Sequence, residues 1–151
     1  ATEHAGPVVI WRKELRPDSG GAGQHRGGLG QYMEVGARDG YEFDLQAMLD
    51  RVNHPALGRR GAAAGAKTSI AKDDGAVMKG KGKQFVAHDR RVLMAFPGGG
   101  GYGDPKDRPS ALVKRDLARG YISAASAETL YGLSKADIAA VKALVQEGKE
   151  P

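Results

Sequence analysis

The sequence predicts an α+β fold: a β-rich N-terminal two-thirds with Gly-rich loops, then short helices at the C-terminus. Three observations predict it. Short runs of β-branched and aromatic residues, bounded by turn residues, fill the chain as far as residue 96. Beyond residue 106, Ser, Pro and Gly instead fall where helices start and stop. Glycine supplies 23 of 151 residues, about twice the usual ~7%, so much of the chain is turn and loop. The expected division is a β-rich Gly-loop region over 1–106 and a helical region over 107–151, in one domain overall.

VVIWRKEL at 8–15 reads as the first strand. LGQYMEVG at 29–36 reads as the second, and YEFDLQAML at 41–49 as the third, with Tyr41, Phe43 and Leu45 alternating. ARDG at 37–40 lies between them, and its Asp-Gly pair predicts a two-strand hairpin. The stretch 50–66 is loop. A short strand follows at 67–71, KDDG turns the chain, and AVMKGK starts the returning strand. Two strand pieces flank His88-Asp89. Asp107 is an N-cap candidate with Pro109 in the first turn, and Gly120 sits where a C′ glycine belongs. Ser123 starts a second helix that Gly132 ends. Ser134 caps a third, in which Ile138, Val141, Leu144 and Val145 share a face and which Gly148 stops. The tail GKEP is expected to fray.

Composition excludes several classes. There is no cysteine, hence no disulfide, thiolate metal site or thiol nucleophile. No signal-peptide pattern opens the chain, and no run approaches the ~20 apolar residues of a membrane span. Ala1 suits a native start after loss of an initiator Met. The expected location is the cytoplasm, with no membrane partner. With one Trp, three Phe and five Tyr, the core is thin and invites burial by a partner. Net charge is +5, which permits nucleic acid. The densest basic cluster, KGKGK at 79–83, lacks the interleaved aromatics of a stacking platform. A solvated turn or a subunit contact fits it better, and no nucleic-acid partner is expected.

Two phosphate-loop patterns are near misses. GAAAGAKTS at 61–69 places Ala66 where a P-loop needs its second glycine, and a β-prone segment follows where a helix should open. Residues 98–103 match G-x-G-x-x-G, but Asp104-Pro105 interrupts the helix that a dinucleotide site requires. A tight passage of one backbone past another explains that run more simply. His4, His25, His54 and His88 show no i, i+4 pairing and no carboxylate cluster, so no metal site is expected.

RPDSGGAGQHRGGLG, residues 16–30, is the informative stretch. It holds six glycines, with His25 beside Arg26. Ordering so much glycine costs conformational entropy, so something must hold the loop. Contacts of Arg16 or Arg26 with Asp18 would do so. Equally, two arginines and a row of backbone N–H groups form an anion-binding concavity. Arg16, Asp18, Ser19, Gly20, Gly21, Arg26, Gly27 and Gly28 are therefore candidates for an anion-binding or interface loop. His25 is the candidate acid–base residue, against the plainer reading of a solvent-facing histidine.

The combination of RPDSGGAGQHRGGLG with PGGGGYGDP at 97–105 resembles the C-terminal part of the hydantoinase B / 5-oxoprolinase family. RDLARGYISAASAETLYGL at 115–133 is similar to the family's closing segment. NHPALGRRGAAAGA occupies the place of its Pro-x-Gly-rich segment. The resemblance implies an ATP-dependent enzyme that phosphorylates a carbonyl or amide oxygen and then hydrolyses or carboxylates the substrate. It implies larger A-type and B-type subunits as partners, with ATP and a divalent metal on those subunits and none bound by this chain alone. The small separate subunit of the acetophenone carboxylases is the specific likeness, which implies carboxylation of a ketone through a phosphorylated enol. The alternatives are a purely structural subunit of an amidohydrolase complex, and a stand-alone anion- or nucleic-acid-binding module suggested by the positive charge.

Overall fold

The computed structural model describes residues 6–148. Ala1, His4 and the tail at 149–151 lie outside them. Six strands and three helices follow in order: β1 (Val8–Leu15), β2 (Gln31–Ala37), β3 (Phe43–Met48), β4 (Ser69–Lys72), β5 (Lys81–Val86), β6 (Arg91–Ala95), α1 (Ser110–Ala118), α2 (Ala124–Thr129) and α3 (Lys135–Gln146). A 3-10 turn at Pro105–Asp107 precedes α1. The α+β order is as predicted.

The strands form two antiparallel sheets, one in the order β1-β2-β6-β4 and one pairing β3 with β5. The expected hairpin across ARDG does not form. The turn itself exists, with Gly40 at φ +83° and the Tyr41 amide donating to the Arg38 carbonyl. Both edges of β2 are already taken, by β1 in the register Glu14↔Tyr32 and by β6 in the register Tyr32↔Ala95. The turn therefore passes the chain to the second sheet. After the KDDG turn, Val77 makes a single bridge back to Ala71, and the chain then joins β3 as β5.

Ile70, Met78, Val86, Val92 and Met94 form the core of the strand region, with Met33, Val35, Phe43 and Leu45 packed against it. The outer face of the larger sheet mixes charged groups with exposed apolar side chains such as Trp11 and Leu93. Arg91 lies 4.0 Å over the Trp11 ring and bonds Glu34 at 2.8 Å. Gly36 leaves room beneath the Trp11 indole. A second core joins Val113, Ile122, Ala127, Tyr131, Leu133 and Ile138 to Ala22 of the Gly-rich loop. That one contact between regions is the first sign that the loop is part of the packing.

Helix boundaries follow local chemistry. The Ser123 and Ser134 hydroxyls accept from the amides three residues on, and Gly120, Gly132 and Gly148 all take positive φ after the helix ends. Asp107 does not cap α1. It lies in the 3-10 turn, whose cap is Asp104, and Pro109 takes the N-cap position of α1. Val145 stays 46% exposed on the distal half of α3.

At the start of α3, Asp137 accepts from Lys114 of α1 at 2.6 Å and from the Ser134 hydroxyl at 2.7 Å. The Lys114 bond first, and the Ser134 bond second, hold its carboxyl below the usual aspartate range. A lowered folded-state value adds stability that is present at neutral pH and is lost as pH falls through and below that range. Thermal unfolding between pH 6 and pH 3 should therefore fall less steeply for Asp137→Asn than for the parent. Parallel curves would show that the pair contributes nothing.

Candidate functional site

Three segments leave the same end of the four-stranded sheet. Residues 16–30 join β1 to β2, residues 97–104 follow β6, and residues 56–68 lead into β4. The registers Leu15↔Gln31, Tyr32↔Ala95 and Ser69↔Ala95 place those ends side by side. The three segments then interleave as a braid of extended backbone. The Gly21 amide donates to Gly99 at 2.8 Å and the Gly99 amide to Gly28 at 2.9 Å. His25 and Tyr102 exchange both backbone bonds, at 2.9 and 3.0 Å. Arg59 donates to Gly101 and accepts from Gly103, each at 3.0 Å. Ala63 donates to Ala22 at 2.7 Å.

The glycines are there because no side chain fits. A methyl group at Gly21 would overlap the Ala63 carbonyl, one at Gly27 the Gly99 carbonyl, one at Gly98 the Ser19 carbonyl and one at Gly100 the Leu57 carbonyl. None of these four has positive φ. The sequence reading of 97–103 as backbone passing close to backbone is what the structure shows, and the neighbour it passes is the 16–30 loop. The near-P-loop GAAAGA is the braid's third member, and Gly65 is held to glycine by the Gly98 carbonyl.

Most of the candidate loop residues hold the braid itself. Ser19 is 1% exposed; its hydroxyl donates to the Arg16 carbonyl and accepts from the Gly30 amide at 2.8 Å, closing the base of the loop. The Arg16 guanidinium donates to the Lys67 and Phe96 carbonyls at 2.8 and 3.1 Å and lies over Tyr32. Asp18 takes φ +57° and accepts from the Ser123 amide at 2.9 Å, which ties the loop to the start of α2. Gly20 would clash with Gly27 if substituted, whereas Gly28 has open space around it.

The expected Arg16–Asp18 and Arg26–Asp18 contacts are replaced by longer-range ones. Arg26 reaches Asp116 of α1 at 3.0 Å, and Arg108 reaches the same carboxylate oxygen at 2.6 Å. Asp116 is 2% exposed, so a buried carboxylate is compensated by two guanidinium groups. Arg26 also donates to the Gly27 carbonyl, lies 5.5 Å from the Tyr121 ring centre, and Arg108 donates to the Gln24 carbonyl at 2.9 Å. Burial raises the Tyr131 phenol beside this cluster above its ordinary value. Asp116 and Arg108 were not singled out from the sequence. The RDLARGY segment was the only signal, since it holds Asp116 inside a resembling motif.

His25 alone among the loop's polar candidates faces outward without a side-chain bond to hold the fold. Its ring lies 6.2 Å from the exposed Tyr102 ring, and Arg60, at φ +51°, places its guanidinium 5.6 Å from that ring's centre. Leu57, whose carbonyl lies against Gly100 in the braid, is 74% exposed. The arrangement is a crest of imidazole, phenol and guanidinium carried on the hydrogen-bonded backbone of the braid. Among the described residues no group of three or more His, Asp or Glu side chains is placed to hold a metal ion, and no helix is long and apolar enough to cross a membrane.

A sequence model of the family described as Hydantoinase B/oxoprolinase matches residues 1–105. The chain belongs to the Hydantoinase B/oxoprolinase family. The β subunit of caprolactamase from Pseudomonas jessenii is 33% identical over 143 residues, covering 87% of this chain and 24% of that protein. An uncharacterised protein of Methanocaldococcus jannaschii is 34% identical over 132 residues, covering 83% and 22%. The chain thus spans about a quarter of the length of the curated relatives it matches. The crystal structure of ATP-dependent caprolactamase from Pseudomonas jessenii superposes with a TM-score of 0.73 at 27% identity, over 93% of this chain and 27% of that one. Nucleotide-free acetone carboxylase superposes at 0.63 and 22% identity, over 97% and 26%; at that identity it shows shared fold alone. The family match stops at residue 105, but the structural match extends into the helices.

Proposed function

We propose that this chain is one part of an ATP-dependent hydantoinase/oxoprolinase-type complex and has no activity alone. It completes a larger B-type body and works with an A-type subunit, in the cytoplasm. ATP and a divalent metal belong to those partners. The observation that carries the reading is the likeness to the caprolactamase β subunit over 87% of this chain but only 24% of that protein. Individually exposed apolar side chains agree: Met48 is 79% exposed, Val77 88% and Phe85 54%, and a larger body would bury them.

The reaction proposed first from sequence was carboxylation of a ketone such as acetophenone through a phosphorylated enol. The caprolactamase likeness favours phosphorylation of a lactam or amide oxygen followed by hydrolysis, so amide opening is placed first and ketone carboxylation second. The purified assembly should release ADP when given caprolactam and ATP. ADP release only with a ketone and bicarbonate would reverse the order, and none with either would overturn both.

Within that assembly His25 faces the reacting groups from the crest, with Tyr102 and Arg60 beside it. His25→Ala should leave assembly intact and lower turnover, read as kcat at saturating substrate. Full turnover would remove His25 from the mechanism. It would then favour the purely structural reading, which the internal use of Arg16, Asp18, Ser19 and Arg26 already supports. Arg26→Ala is expected to act through stability, because its guanidinium is bound to Asp116.

A further inference from the structure

A separate cluster of positive charge lines a cavity where β3 ends and β5 begins. Its volume is about 440 Å³, and its walls include Asp50, Arg51, His54, Lys79 and Lys81. Three permanent cations face it against one carboxylate. No ion pair joins Arg51, Lys79 or Lys81 to a carboxylate among the described residues, although other surface lysines, Lys83 and Lys114, are paired. Arg51, Lys79 and Lys81 are all exposed, so water screens their repulsion while their summed positive charge attracts an anion to the cavity.

The backbone around the cavity is fixed. The Gln84 side chain clamps Lys79 from both sides, accepting from its amide and donating to its carbonyl at 2.7 Å each. The Leu49 amide donates to Gly80 at 2.8 Å. Buried Thr68 holds the opposite wall, its hydroxyl donating to the Asp50 carbonyl at 2.6 Å and its amide to the Arg51 carbonyl at 3.1 Å. Arg51 itself stands at φ +58°, a left-handed conformation that costs a non-glycine residue energy. Glycine would suit the position better than arginine does. Strain of this kind gathers at ligand clamps.

We propose that this cavity binds a phosphate-bearing small molecule, with Arg51, Lys79 and Lys81 as its anchors. Guanidinium and ammonium groups are the usual phosphate donors, and the volume lies within the range of small-molecule pockets. The source is either the phosphate tail of a nucleotide or a phosphorylated small molecule. None of the three anchors belongs to the glycine braid, so this inference stands apart from the proposed function.

The test is titration calorimetry of pyrophosphate into the purified protein in the assembly it forms, comparing variants of this chain alone. Arg51→Gly should bind at least tenfold more weakly at this site and yet be as stable as the parent or more so. Lys79→Ala/Lys81→Ala should also lose tenfold or more. Lys135→Ala/Lys142→Ala, which removes the same charge from α3, should bind as the parent does. Equal loss in the α3 variant would reduce the effect to diffuse charge and overturn the proposal. So would unchanged binding in Arg51→Gly, or no saturable binding at millimolar pyrophosphate. Displacement of pyrophosphate by ATP but not by glycerol 2-phosphate identifies the nucleotide source, and displacement by both identifies the phosphate monoester class.

Discussion

Gly98→Ala lowers the unfolding free energy by about 3 kcal/mol or more, the upper end of overpacking costs. The added methyl group lands on the Ser19 carbonyl and close to the Gly20 amide. These are backbone atoms, pinned by the Ser19 bonds to Arg16 and Gly30 and by the Ala66 amide donating to Ser19 at 2.8 Å. Neither side can yield without breaking the braid. Gly28→Ala is the matched control. It has nothing within 4 Å and no positive φ, so the methyl group should be neutral or add about 0.4–1 kcal/mol by stiffening the unfolded chain. Denaturant unfolding of the two variants beside the parent checks this. Equal midpoints would mean that the glycines serve flexibility and not close approach.

Asp116→Ala costs about 3–5 kcal/mol, the range for breaking a buried ion pair from one side. It leaves Arg26 and Arg108 facing each other with side chains only 14% and 7% exposed. Arg26→Ala costs less, because Arg108 still compensates the carboxylate at 2.6 Å. The ordering is the informative part: thermal unfolding should rank parent, then Arg26→Ala, then Asp116→Ala. A reversed order would show that Arg26 holds the loop through Gly27 and Tyr121 and not through Asp116.

What the sequence made legible was local. Ser123, Ser134, Gly120, Gly132 and Gly148 were readable because caps and C′ glycines act within four residues. The failure at Asp107 is of the same scale: it falls inside the 3-10 turn that Asp104 caps, and Pro109 takes the N-cap position of α1. The hairpin across ARDG failed because β2's partners are β1 and β6, which lie 18 and 63 residues away in sequence by the pairs Glu14–Tyr32 and Tyr32–Ala95. The Gly-rich loop was recognised as ordered, and backbone crowding was recognised at 97–103. That each loop is the other's neighbour could not be read, because glycine carries no side chain to mark a partner. Arg26 was paired with Asp18, eight residues away, when its partner Asp116 is 90 residues away. The polar residues that remained for chemistry were therefore fewer than the loop's composition suggested, and His25 was among them.

Native mass spectrometry of the chain purified gently from its own host tests the central claim most directly. The account predicts a mass several times 15.9 kDa, with larger B-type and A-type polypeptides in the same particle. A folded species of 15.9 kDa that stands alone, with no larger polypeptide attached, would contradict it.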